Sequence, residues 1–152
     1  MVEEGKPAPD FELVTGEGAS VRLSSFRGRP VVLYFYPKDD TPGCTTQACG
    51  IRDEHDAFAE RGAVVLGVSP DNQASHARFK SKHSLPFTLL ADPQHEVAGL
   101  YGVWVEKSMY GRTRMGIERS TFVIDADGTI AAVMRKVKPA THTAQVLEAL
   151  SA

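Results

Sequence analysis

Unbroken apolar runs alternate along the chain with stretches whose apolar positions recur every three or four residues, which predicts buried strands separated by amphipathic helices. The clearest run, Val31-Val32-Leu33-Tyr34-Phe35-Tyr36, is β-branched and aromatic without a polar interruption. It predicts a strand covered on both faces, ended by Pro37. A second run covers Ala63 to Val68, and Ser120 to Asp125 leads through Asp127-Gly128 into Ile130 to Arg135 as a hairpin. Nearer the start, Pro7, Pro9 and Gly16-Glu17-Gly18 bracket Phe11 to Val14, and Ser20 to Leu23 follows, a small hairpin expected to cover a sheet edge. Helices are expected from Thr41 to about Arg61, over Asn72 to His83, over Gln94 to Tyr101 and from Thr141 to Leu150, with a short strand near Phe87 to Leu90. Gly102 to Gly116 reads as a loop.

Strands alternating with helices, then a closing hairpin and helix, predict an α/β fold with a mixed central sheet, helices on both faces and an N-terminal β-hairpin. A thioredoxin-like topology fits that order. With 152 residues, 42% of them apolar, and no repeat or linker, residues 1–152 are expected to form a single domain. The 17 basic and 19 acidic residues are interspersed and leave a net charge of −2, which gives no footprint for nucleic acid. Met1 to Asp10 lacks the apolar run of an export signal, and no stretch approaches the ~20 apolar residues of a membrane-crossing helix. A cytoplasmic location without membrane partners is the expectation.

The chemistry concentrates where the first long strand hands over to a helix. Thr41 followed by Pro42 is a helix-start signal, with threonine as N-cap and proline in the first helical position. Cys44 then occupies the third helical position, where unpaired N–H groups and the helix dipole stabilise an anion such as a thiolate. The plainer alternative is a small core residue, because Cys44, Ala48, Ile51, His55 and Phe58 share one helical stripe. Cys49 is the only other cysteine. Five residues apart on an ideal helix, two α-carbons lie ~8.7 Å from each other, beyond the ~7 Å that a disulfide spans without backbone movement. Pairing would therefore require the helix start, rich in Thr, Pro and Gly, to unwind. Four intervening residues argue against a dithiol reductase with its two-residue spacing. Two cysteines with scattered His55, His76, His83, His95 and His142 argue against zinc.

The segment Tyr36-Pro37-Lys38-Asp39-Asp40-Thr41-Pro42-Gly43-Cys44-Thr45-Thr46-Gln47-Ala48-Cys49 resembles the active-site segment of peroxiredoxins, and most closely their bacterioferritin comigratory protein, or Q-type, branch. The resemblance extends over Gly5 to Leu13, Val31 to Arg52, Phe87 to Leu90, Tyr101 to Trp104 and Arg119 to Gly128. It implies a thiol peroxidase that reduces hydrogen peroxide and organic hydroperoxides without metal, haem or flavin. Cys44 would be the attacking cysteine and pass through a sulfenic acid. Arg119 would place positive charge beside it, and Pro37 would shield it from water. Thr41, Gly43, Cys44 and Arg119 would contact the peroxide. The resemblance further implies that Cys49 resolves the sulfenic acid as an intramolecular disulfide, that thioredoxin or a similar dithiol reduces it, and that a monomer is favoured over a dimer. Trp104 would either wall this site or pack on the core. Two other readings stay open on residues alone: a thiol-disulfide oxidoreductase, and a redox-sensing or holdase-like binding protein.

Overall fold

The structure, a computed structural model, describes residues 2–151. Its elements in chain order are β1 (Glu12–Thr15), β2 (Ser20–Arg22), a 3₁₀ turn (Leu23–Phe26), β3 (Val31–Phe35), α1 (Pro42–Asp53), α2 (His55–Glu60), β4 (Val64–Ser69), α3 (Gln73–Lys82), β5 (Thr88–Ala91), α4 (Glu96–Leu100), β6 (Trp104–Met109), β7 (Arg112–Ile117), β8 (Ser120–Ile124), β9 (Ile130–Met134) and α5 (His142–Ser151). Seven strands form one sheet in the order β2-β1-β5-β4-β3-β8-β9. β3, β4 and β5 run parallel, as strands joined through helices do, while β1 pairs antiparallel with β5, and β8 with β3. The N-terminal hairpin thus covers the edge of β5, as its pattern led one to expect.

Every residue of β3 is buried, and its alternation feeds two cores. Val31, Leu33 and Phe35 pack on one face with Leu66, Phe122, Tyr101 and Val97 of α4. Val32, Tyr34 and Tyr36 pack on the other with Cys44 and Ile51 of α1, Phe58 of α2, Phe79 of α3 and Val146 of α5. Full burial of each such side chain contributes about 1.5–3 kcal/mol, so β3 is the keel on which α1 is seated.

Two expectations need correction. The helix from Thr41 does not continue to Arg61: Glu54, at φ −105° and ψ 20°, breaks it into α1 and α2. The break re-aims the chain so that Phe58 enters the same core as Ile51. Gly102 to Gly116 is not a loop either. β6 and β7 pair antiparallel across the Tyr110-Gly111 turn, both residues left-handed at φ 53° and 76°. The apolar residues of this hairpin are scattered among Glu106, Lys107, Ser108 and Arg112 to Arg114, and among its described side chains only Trp104 and Ile117 at its base join a core, so no apolar alternation announced it.

Candidate active site

The site assembles where β3 leaves the sheet. Residues 37–41 turn over its end, and α1 starts with Thr41 in extended N-cap conformation and Pro42 in the first helical position. Thr41 caps through its backbone alone: its carbonyl accepts the first intrahelical bond from Thr45 N at 2.8 Å, whereas its hydroxyl donates to Lys38 O at 2.9 Å. The expected side-chain cap is therefore absent, because the hydroxyl is committed to the preceding loop. Cys44, 1% exposed, follows in the first turn, where its N–H and that of Gly43 precede any i−4 acceptor. Pro37, Thr41 and Gly43 are half-buried.

Arg119 comes to this helix from the far half of the chain. β8 pairs with β3 so that Ser120 lies opposite Phe35. Arg119, one residue earlier, therefore stands at the end of β3 from which the 37–41 loop departs. Its backbone carbonyl accepts from Val137 N at 2.9 Å. Its Nη1 lies 3.4 Å from Cys44 Sγ and donates to Gln47 Oε1 at 2.6 Å. A Cβ on Gly43 would sit 3.2 Å from Arg119 Nη2, so glycine at this position lets the guanidinium lie close against the first turn. A guanidinium and a helix N-terminus thus converge on one sulfur, an arrangement that stabilises a thiolate and charge moving onto a departing oxygen.

Gln47 was not singled out from the sequence. It is fully buried, three residues after Cys44 on the same helical face, and its oxygen gives Arg119 a fixed partner. The available signal was a glutamine inside an otherwise apolar stripe. His142, at the start of α5, is buried beneath the site, with Nε2 2.7 Å from Thr121 Oγ1 and its ring 5.8 Å from that of Tyr34. Burial, and then the positive charge of Arg119, push its pKa down to about 4, so a neutral imidazole lies below the cation. The Tyr34 phenol is held well above its usual range by burial and then by the charge of Cys44.

Cys49 is half-buried farther along α1, and both cysteines are free thiols. Trp104 packs against the opposite core and stacks on His95 at 3.7 Å, so it does not wall the site. Among the described residues, no group of three or more His, Cys, Asp or Glu is placed to hold a metal ion, and no helix is long and apolar enough to cross a membrane.

The AhpC/TSA family model matches residues 4–133. Peroxiredoxin Bcp of Bacillus subtilis (strain 168) is 52% identical over 149 residues, 98% of this chain and 95% of that protein. Peroxiredoxin Bcp of Escherichia coli (strain K12) is 47% identical over 146 residues, 96% and 94% of the two chains. Among solved structures, Xanthomonas campestris bacterioferritin comigratory protein, described for its alkyl peroxide reduction activity, superposes with a TM-score of 0.92 at 37% identity over 98% of both chains. A cysteine-to-serine mutant of Xylella fastidiosa PrxQ gives a TM-score of 0.94 at 34% identity, over 99% of this chain and 96% of its own.

Proposed function

The chain belongs to the AhpC/TSA family, and from that premise and the surroundings of Cys44 we propose that it is a thiol-dependent peroxidase working through residues 37–49 and Arg119. The observation that carries this reading is Arg119 Nη1 at 3.4 Å from a buried sulfur in the first turn of α1. The Cys44 thiolate attacks one oxygen of the hydroperoxide, the O–O bond breaks, and the other oxygen leaves as water or alcohol after taking a proton. Sulfur is oxidised to a sulfenic acid and the peroxide is reduced by two electrons. Arg119 and the N–H groups of Gly43 and Cys44 stabilise the charge on the reacting oxygens, and Pro37 and Thr41 border the space the peroxide enters. The Cys49 thiol then attacks the sulfenic sulfur, water leaves, and a Cys44–Cys49 disulfide forms. Because one helix holds both cysteines, this step requires the start of α1 to unwind. Thioredoxin or a similar dithiol protein accepts the oxidising equivalents by disulfide exchange. The chain acts as one domain, as a monomer in the cytoplasm.

The test mixes reduced protein with one equivalent of hydrogen peroxide, quenches at intervals, traps sulfenic acid and maps disulfides by mass spectrometry. Trp104 fluorescence is a poor substitute because that ring lies in the other core. Rapid formation of a Cys44–Cys49 disulfide is expected, preceded by a Cys44 sulfenic acid that accumulates in Cys49→Ser and never forms in Cys44→Ser. Reaction no faster than that of a free thiol would sink the reading, and a fast reaction leaving Cys49 reduced would remove Cys49 from it.

A further inference from the structure

Among buried polar groups without an assigned part in the reaction, the Asp39 carboxylate has an unusually complete set of partners. Asp39 is 7% exposed and lies two residues before Thr41 in the loop that leads into α1. Its Oδ1 accepts from Tyr36 OH at 2.6 Å. Its Oδ2 accepts from Ser75 Oγ at 2.8 Å and lies 2.7 Å from His76 Nδ1. His76, fully buried in α3, turns its other nitrogen, Nε2, to the Leu90 carbonyl of β5 at 2.9 Å. An acceptor faces each ring nitrogen, so the imidazole bridges the loop to the sheet. The Asp39 N–H adds a 2.7 Å bond to Asp71 Oδ2. One loop residue is thereby tied to Tyr36 just past the end of β3, to α3 and the turn after β4, and through His76 to β5.

Downstream the character of the chain changes. The Thr41 hydroxyl binds back to Lys38 O and so belongs to the tied side. Past it come Pro42, which has no N–H, and Gly43, which has no side chain to anchor. The boundary between a pinned loop and a helix turn poised to open thus falls between Thr41 and Pro42.

We propose that His76 is a positioning residue for peroxide reduction: through Asp39 it holds the 37–41 loop as a fixed post against which the first turns of α1 unwind and rewind. The proposal rests on reading Cys44 and Cys49 as the reacting pair. Its consequence is that the half of the site carried by Pro37 and Thr41 stays formed in the disulfide state, and only the half carried by α1 is rebuilt after reduction.

Hydrogen exchange of backbone amides, read by mass spectrometry on reduced and peroxide-oxidised protein, tests this directly. In the wild type, exchange over residues 42–50 is expected to rise at least about tenfold on oxidation while 37–41 keep their protection. Asp39→Asn replaces an acceptor with an amide donor that conflicts with His76 and Ser75. The double variant Asp39→Ala/His76→Leu removes both polar groups together and leaves no stranded charge to prevent folding. In both variants 37–41 are expected to lose protection with α3 still protected. The peroxide rate constant should fall about 10- to 100-fold, while iodoacetamide alkylation of Cys44 stays within about threefold, a rate that general unfolding would raise. Loss of protection at 37–41 in the oxidised wild type, or a wild-type peroxide rate in the folded double variant, overturns the proposal and leaves the peroxidase reading standing. A wild-type Cys44 inert to peroxide overturns both.

Discussion

One nitrogen of Arg119 serves both Cys44 Sγ and Gln47 Oε1, so the position of the guanidinium is set by a neutral amide as well as by the sulfur beside it. Arg119→Met should lower the rate constant for peroxide about 10²- to 10³-fold, the range found when one donor to a developing oxyanion is removed. Gln47→Ala leaves the cation present and takes away one of its restraints, which predicts a milder loss of about tenfold, ~1.4 kcal/mol in activation free energy. Stopped-flow rates with hydrogen peroxide check both, and equal losses in the two variants would show that charge matters less than placement. At this scale the sequence was legible for Cys44, whose place after Thr41-Pro42 follows from helix-start rules alone. It was silent on Gln47, because a buried glutamine in a helix acquires its meaning only from the arginine opposite.

In the proposed cycle, helix α1 has to be stable enough to present Cys44 and weak enough to let Cys49 reach it. Gly50 contributes to the weakness, since glycine within a helix costs about 1 kcal/mol relative to alanine. A Cβ at this position would lie 2.8 Å from Thr143 Oγ1 of α5, so the close approach of the two helices holds glycine there. Gly50→Ala combined with Thr143→Ala relieves that clash and stiffens α1. Sulfenic acid formation should then keep its rate while disulfide formation slows about threefold to tenfold, as followed by quenched-flow mass spectrometry. An unchanged disulfide rate would mean that unwinding stops short of Gly50. The same helix shows where element-level reading ran out. Local propensity does not mark Glu54 as a break, and the chain turns there to deliver Phe58 to the core under β3. In β6 and β7 the alternating residues face little apolar surface, so strand pairing left no hydrophobic signature.

Across the whole molecule, the site's electrostatics are coupled to stability through His142. Its folded pKa of about 4 lies below the 6.5 of an exposed histidine. Between those values the unfolded chain binds more protons than the folded one, so stability falls as pH is lowered through that window and levels off below pH 4. The loss attributable to this group should reach about 2 kcal/mol by pH 5. Urea unfolding midpoints of the wild type and His142→Gln, compared between pH 7.5 and 5, should therefore converge as the pH falls, because the variant lacks this charging step. A constant gap across that range would show that the imidazole takes up its proton without cost beneath Arg119.

The chain by itself determined the strand-helix alternation, the burial of β3 on both faces and the placing of Cys44 in a first helical turn, since each follows from local periodicity or from the φ restriction and missing N–H of proline. Resemblance to known active-site segments supplied Arg119. Only the tertiary structure decided how Arg119 reaches the sulfur, because that contact spans 75 residues and depends on β8 entering the sheet beside β3 with Ser120 opposite Phe35. It likewise decided the Gln47 restraint, the neutral His142 below the site and the tie from Asp39 to His76, which join side chains from separate elements. Local sequence rules act over a few residues. A reaction site is made by strand register and by burial, and these exist once the chain has folded.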